Sequence, residues 1–444
     1  MGTVSYGDKC INIVYDVDTV VLGGGTAGAV AAISAARGGN KTLVIEKTIS
    51  LGGTQTNSLV CPMMPTYVET FNINKEIINQ LEEEGCITND GQTKSSWFNI
   101  EDLSYVLQEK ILKEGGQILF DAHFYDVILE EDKINYILVN TCEGTLAIKG
   151  KNFIDASGDA LLSRACNIPT VSGNEEGKNQ MVSFRFEMGG IDVVRLMDYM
   201  KSLGDNFCKS DDPRFYEIAM EKNKNFVLEP IFKKGLEDGV LEEEDLRYFQ
   251  AFTIPNKNGV MSFNCPHIPG VDKNTSVVLR SEAIIKGRRM IRRLIAFLNK
   301  YIPGFEGAFL LREASQLGVR ESYRIVGKYV LSEEDYLNRS RFEDGIARGD
   351  WYIDVHTHNN KSLAREEYKR GEYYEIPYRS LISNEISNII TVGRCISTTF
   401  LMQASVRIQP TLRDLGQIAG EACVMSVKDK VDLNKINGKY LRKL

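Results

Sequence analysis

The chain has 444 residues, 43% of them hydrophobic and 25% charged, with a formal net charge of −7; it is too long for one core, too apolar for a disordered polymer, and too acidic for nucleic acid or an anionic membrane to be its main partner. Its nine cysteines are odd in number and scattered, with no C-x-x-C pair, which excludes a dithiol redox motif, a thiolate zinc site and a sequential iron–sulfur motif and fits reduced thiols. No apolar run approaches the roughly 18 residues of a bilayer span and the start is not signal-like, so the expectation is a cytoplasmic protein.

Residues 1–13 precede the first periodic segment and read as an N-terminal arm or edge strand. Residues 17–46 then run strand, turn, helix, strand: an apolar run at 19–22 stops at glycines, an alanine-rich helical pattern covers 26–37, and a second apolar run at 43–45 ends on Glu46. Gly23, Gly25 and Gly28 have the G-x-G-x-x-G spacing, with Thr26 and Ala27 opening the helix. Gly23 permits the tight turn, Gly25 lets a pyrophosphate approach the backbone, and Gly28 lets helix and strand pack closely. The helix N-terminus offers unpaired N–H groups and a partial positive charge to that diphosphate. Glu46 lies 46 − 28 = 18 residues past Gly28, near the roughly 20 expected of the acid that accepts from an adenosine ribose. This stretch reads as a dinucleotide site, with NAD and FAD both open.

After Lys47 a second loop carries Gly52, Gly53 and Thr54 at the same end of the sheet, where paired glycines permit close backbone approach to a ligand. A short helix is predicted near 75–84 and another over 99–113, N-capped by Asn99 and stopped by Gly115 and Gly116. Residues 117–149 read as short strands of an antiparallel meander, 152–155 as a buried strand, and 156–159 as a loop carrying Gly158 and Asp159 back to the ligand. From 171 to 375 the texture changes, with strands near 182–188 and 259–264 and a long helix over 274–300. The basic run at 286–293 falls in that helix and reads as a paired or solvated face. A strand at 388–392 ends on Gly393 and Arg394, and the last helix runs from Pro410 to about 427, with Gly416 and Gly420 giving it a smooth face.

Residues 23–28, Glu46, 51–53 (LGG), 154–159 (IDASGD) and 389–397 (IITVGRCIS) together resemble the FAD-dependent oxidoreductases of the glutathione-reductase fold type, distantly similar to the flavoprotein subunits of fumarate reductase and heterodisulfide reductase. Residues 316–327 (QLGVRESYRIVG), 351–356 (WYIDVH), 374–378 (YEIPY) and 405–410 (SVRIQP) are similar to a bacterial FAD-dependent oxidoreductase family. The resemblance implies an α/β fold: a Rossmann-like FAD-binding domain of residues 14–172 and 376–430 with the meander inserted, plus a second α+β substrate or cap domain at 173–375. It implies FAD with its pyrophosphate at Gly23 to Gly28, its ribose on Glu46, Gly52 and Gly53 toward the flavin side, and Gly158, Asp159 and Gly393 at its middle. The last helix would point its N-terminus, with Arg407, Gln409, Pro410 and Thr411 nearby, at the flavin, where a positive helix end stabilises the anionic reduced ring. Residues 54–60 have no histidine, so histidyl attachment is not expected; Cys61 reads as a buried small hydrophobe, and FAD is expected to be non-covalent.

Flavin chemistry leaves the protein to supply a proton donor or acceptor and a substrate clamp. His356 is the leading acid–base candidate; His267 and His123 rank below it. His356, His358 and Asp354 share a face if that run is extended, but no metal is expected. Arg320 and Arg324, four apart on a helix or turn with Glu321 between, either clamp a carboxylate or hold domains together. Arg185, alternating with aromatics on a strand, lines the cleft or faces solvent. The expected function is a dehydrogenase passing a hydride from a small organic substrate to FAD. The alternatives are a reductase of an activated double bond with Arg320 as proton donor, or an electron-transfer flavoprotein subunit. The electron acceptor is unknown and a homo-oligomer is left open.

Overall fold

The computed structural model describes residues 2–89, 96–208, 210–355 and 368–441; His356 and His358 lie outside the described residues. The architecture is mixed α/β. Its main sheet starts earlier than residue 14: β1 (Thr3–Tyr6) folds back antiparallel on β2 (Lys9–Leu22). The charged residues of this hairpin obscured its strand pattern, because that part of β2 is mostly exposed.

From Leu22 the chain enters α1 (Thr26–Arg37) and returns in β3 (Thr42–Ile45). Helix α2 (Asn72–Glu83) and helix α3 (Ile100–Lys113) follow, the latter capped by Asn99, whose side chain accepts from the Glu101 N–H. The apolar run expected to begin the meander is instead β4 (Gln117–Leu119), paired parallel with β3. Three residues carry too little pattern to reveal a partner. The antiparallel meander is β5 (His123–Glu130), β6 (Lys133–Thr141) and β7 (Gly144–Asp155), and the last is one continuous strand rather than the two expected.

A second sheet is five-stranded and antiparallel. Its strands are β8 (Phe186–Gly189), β9 (Glu217–Glu221), β10 (Tyr248–Ile254), β11 (Lys257–Phe263) and β12 (Phe309–Glu313), in the order β9-β10-β11-β8-β12. Helix α4 (Val277–Tyr301) belongs to this part of the chain. The chain then comes back to the main sheet as β13 (Ile389–Thr391), followed by α5 (Phe400–Val406) and α6 (Gln409–Asp429).

Four parallel strand ends are brought level by register. Leu22 faces Ile45 on one side and Asp155 on the other, and Asp155 faces Thr391. Each strand therefore releases its next residues at the same edge, the carboxyl end where open α/β sheets bind ligands. Alternation buries both faces: Val21, Val44, Ile154 and Ile390 join the core that contains α1 and α6, while Val20, Leu43, Phe153 and Ile389 join the other. The crossing of α1 and α6 depends on glycine, since a Cβ at Gly416 would sit 2.2 Å from the Ala27 carbonyl oxygen and one at Gly420 2.5 Å from that of Ala31. This contact fixes where α6 begins. Among the described residues, no helix is long and apolar enough to cross a membrane.

Candidate active site

The strand ends open into one cavity of 1280 Å³, larger than the ~300–1,000 Å³ typical of small-molecule sites. At its first end the fingerprint glycines divide by role. Gly23 has φ +98°, and its Cβ would lie 2.6 Å from the Ala156 oxygen; a Cβ on Gly28 would lie 1.9 Å from the Gly23 oxygen. Those two are required by the fold itself. Gly25 has φ −72°, forms part of the cavity wall, and its Cβ position has nothing nearer than the Gly53 Cα at 3.7 Å. The protein would accept a side chain there, so the fold itself does not require this glycine. Helix α1 has no side-chain cap at Gly25, which leaves its first N–H groups available to an anion.

The second glycine loop is clamped to the first. Gly52 donates its N–H to the Gly24 oxygen at 2.8 Å, and Gly25 and Gly52 form a parallel bridge. Glu46 accepts from the Gly24 N–H at 2.8 Å and from the Thr48 N–H and hydroxyl at 2.9 Å each. Glu46, Lys47, Gly53 and Thr54 lie on the wall, as do Thr26 and Ala27; Gly28 and Gly52 stand behind it and shape the turns.

In the middle, Gly158, Gly393 and Arg394 form the wall, but Asp159 does not. Its carboxylate takes Arg394 Nη2 at 2.8 Å, both terminal nitrogens of Arg280 at 3.1 Å and the Ser322 hydroxyl at 2.6 Å. Burial opposes its charge, but the two arginines outweigh burial and hold the carboxyl far below the usual range. Arg280 comes from α4, so Asp159 ties that helix to the loop after β7 instead of reaching into the cavity. Arg394 also donates to the Gly158 and Val319 oxygens.

The far end is built from side chains. Arg320 donates to the Met181 oxygen at 2.9 Å and to His267 Nε2 at 3.0 Å. Arginine has no acceptor, so the histidine nitrogen must receive that bond. His267 also stacks on Tyr248, with ring centres 4.5 Å apart and planes 5° from parallel. Burial, followed by the neighbouring Arg407, draws the Arg320 guanidinium down to about 10. Arg407 Nη2 donates to the Asp354 carboxylate at 3.1 Å and to its carbonyl oxygen at 3.2 Å.

Helix α6 starts at Gln409 with no side-chain cap. The Gln409 amide is spent on the loop opposite, donating to the Pro62 oxygen at 2.8 Å and accepting from the Met64 N–H at 3.2 Å. Pro410 and Thr411 are buried and off the wall, because the chain turns inward there. His123 lines the first end of the cavity, and its side chain is largely exposed.

Arg324 does not share the site with Arg320. Residues 323–325 form a strand paired with Thr170–Ser172, not a helix, and Arg324 is locked to Glu321 and to the Thr398 and Gly173 oxygens. Cys61 is fully buried off the wall. Tyr248 and Gln250 line the cavity without having been singled out in the sequence; their two-residue spacing on β10 was the available signal. Among the described residues, no group of acids, histidines and cysteines is placed to hold a metal.

A family model described as FAD dependent oxidoreductase matches residues 18–444. Thiamine thiazole synthase from Methanococcus aeolicus is 29% identical over 164 residues, 34% of this chain and 59% of that protein, so the chain spans less than two thirds of that curated relative. The p-nitrophenol 4-monooxygenase PnpA from Pseudomonas putida DLL-E4 has a TM-score of 0.50 at 9% identity, over 94% of this chain and 82% of that one. A geranylgeranyl bacteriochlorophyll reductase-like protein from Thermoplasma acidophilum has a TM-score of 0.47 at 13% identity, over 94% of this chain and 80% of that one. At such identities the likeness to solved structures speaks of fold alone.

Proposed function

This chain belongs to the FAD-dependent oxidoreductase family, and on that premise we propose that it oxidises a small organic substrate held between the glycine loops and the cap. FAD, its cofactor, when bound takes up the hydride that the substrate gives. The observation supporting this reading is the single cavity, with backbone-built walls at Gly25 and Gly53 and charged side chains at Arg320 and Arg407. The open N-terminal amides of α1 would receive the diphosphate, Glu46 the ribose, and Gly53, Gly158 and Gly393 would line the path between. At the far end the substrate would meet Arg320, held in place by His267. That bond occupies the only lone pair on His267 Nε2, and a proton there would set two cations 3.0 Å apart. His267 thus positions Arg320, and the proton-acceptor role is proposed for His356, two residues beyond the cavity-lining Asp354.

The test is anaerobic incubation of the FAD-loaded protein with candidate alcohols and amines. Loss of the oxidised flavin band with at least one of them is the expected result. If none bleaches the flavin, while an enoate reoxidises flavin reduced by another donor, the oxidation reading is lost. The reverse reaction, reduction of an activated double bond with Arg320 as proton donor, is the second reading, supported by the place of Arg320 on the cavity wall beside His267.

A further inference from the structure

Arg185 is 2% exposed and yet forms part of the cavity wall. Its Nε donates to the Phe263 oxygen at 3.2 Å, and its Nη2 has no hydrogen-bond partner. Among the described residues no carboxylate forms an ion pair with it. Its neighbours offer no direct counter-charge: burial pushes the Cys61 thiol and the Tyr248 phenol upward, keeping both neutral, and both Glu187 oxygens are taken by Nε and Nη2 of Arg312, so Glu187 acts on Arg185 only at a distance. Of the acids on the same wall, Glu217 is engaged by Gln250, Asp211 by Lys201, Asp212 by Arg214 and Asp354 by Arg407. Arg320 points its terminal nitrogens at a carbonyl and an imidazole, not at an acid.

We propose that the substrate carries a carboxylate and that Arg185, with Arg320, receives it; this rests on the cavity being the substrate site of the oxidoreductase proposed above. A buried guanidinium with an unpaired nitrogen is disfavoured until an anion reaches it. A carboxylate presents two oxygens in one plane, matching the planar fork of arginine. Phe252, whose ring centre lies 5.9 Å from the Arg185 guanidinium carbon, shields the pair from water and strengthens it. Arg185 is thereby assigned to substrate recognition, with the bond-breaking centre elsewhere on the ligand.

The experiment is calorimetric titration of the FAD-loaded protein with acetate and benzoate, with their uncharged isosteres acetamide and benzamide, and with inorganic phosphate. At least one carboxylate should bind about 30-fold or more tightly than its amide. Arg185→Met should erase that preference, retain full FAD content, and raise the unfolding temperature of the ligand-free holoenzyme, because it removes an uncompensated buried charge. Equal binding of acid and amide, or phosphate binding above both carboxylates, overturns the proposal. So does a folded Arg185→Met protein that loses FAD, since the residue would then serve the cofactor. The acid–amide comparison uses the native protein and decides the matter even if the variant does not fold. Carboxylate binding with no substrate ever bleaching the flavin keeps the clamp and removes the reaction; bleaching by neutral substrates without competition by carboxylates does the reverse.

Discussion

The two ends of the cavity are built from different material. The first is backbone: glycines at fixed spacing, an uncapped helix N-terminus and a carboxylate that accepts from main-chain N–H groups. The second is side chain: three arginines, a histidine and an aspartate drawn from positions 185 to 407. Backbone sites need particular residues at particular spacings, whereas side-chain sites need only that distant segments meet. The first end suits a ligand common to a whole family, and the second suits one particular to its owner.

The contrast can be broken hardest at Gly28. Gly28→Val sets a side chain 1.9 Å from a main-chain oxygen and should cost about 4 kcal/mol or more, read as loss of soluble protein or a collapsed urea midpoint. A native-like midpoint would mean that the fold does not need that glycine. Between the ends, Asp159→Asn leaves Arg280 and Arg394 facing one another without their shared charge and should cost about 3 kcal/mol. Measured stability within error of the parent would remove Asp159 as the tie between α4 and the loop after β7.

A third change tests a buried carboxyl outside both ends. Burial raises Asp414 on α6 to about 7, against the pull of the Phe71 N–H and of Arg413. The folded protein therefore holds a proton there that the unfolded chain releases near pH 4. The contribution of Asp414 to stability should be full below about pH 4 and fall by about 3 kcal/mol as pH rises toward 7. Asp414→Asn should flatten that slope in urea titrations across the range, and an unchanged slope would reject the assignment. The smallest effect is expected at His267. His267→Phe keeps the stacking on Tyr248 but removes the acceptor for Arg320, and should raise KM about tenfold with FAD content unchanged, since Arg320 holds the substrate. A fall in kcat with KM unchanged would place His267 in the chemistry instead.

Much of the first end was legible in the sequence, because Gly23, Gly25, Gly28 and Glu46 sit within one strand-helix-strand unit whose spacing encodes the geometry. The lone orphan nitrogen of Arg185 was not, since it depends on where Phe263, Glu187 and Arg312 lie after folding. The His267–Arg320 pair spans 53 positions and the Arg280–Asp159 pair 121; no local pattern announces either. Arg320 and Arg324, read as neighbours on a helix or turn from a spacing of four, separate because residues 323–325 extend as a strand. Spacing predicts proximity only when the element is known.

The division between the two ends is tested most directly by measuring FAD affinity in Gly25→Ala and Arg320→Met side by side. The backbone at Gly25 tolerates alanine and the new Cβ meets only an ordinary contact at 3.7 Å, so the first variant should fold normally yet bind FAD roughly 100-fold more weakly. Arg320→Met should keep FAD affinity within about threefold of the parent, because its loss falls on the substrate. Native FAD affinity in Gly25→Ala, or an FAD-free Arg320→Met protein, would contradict the account.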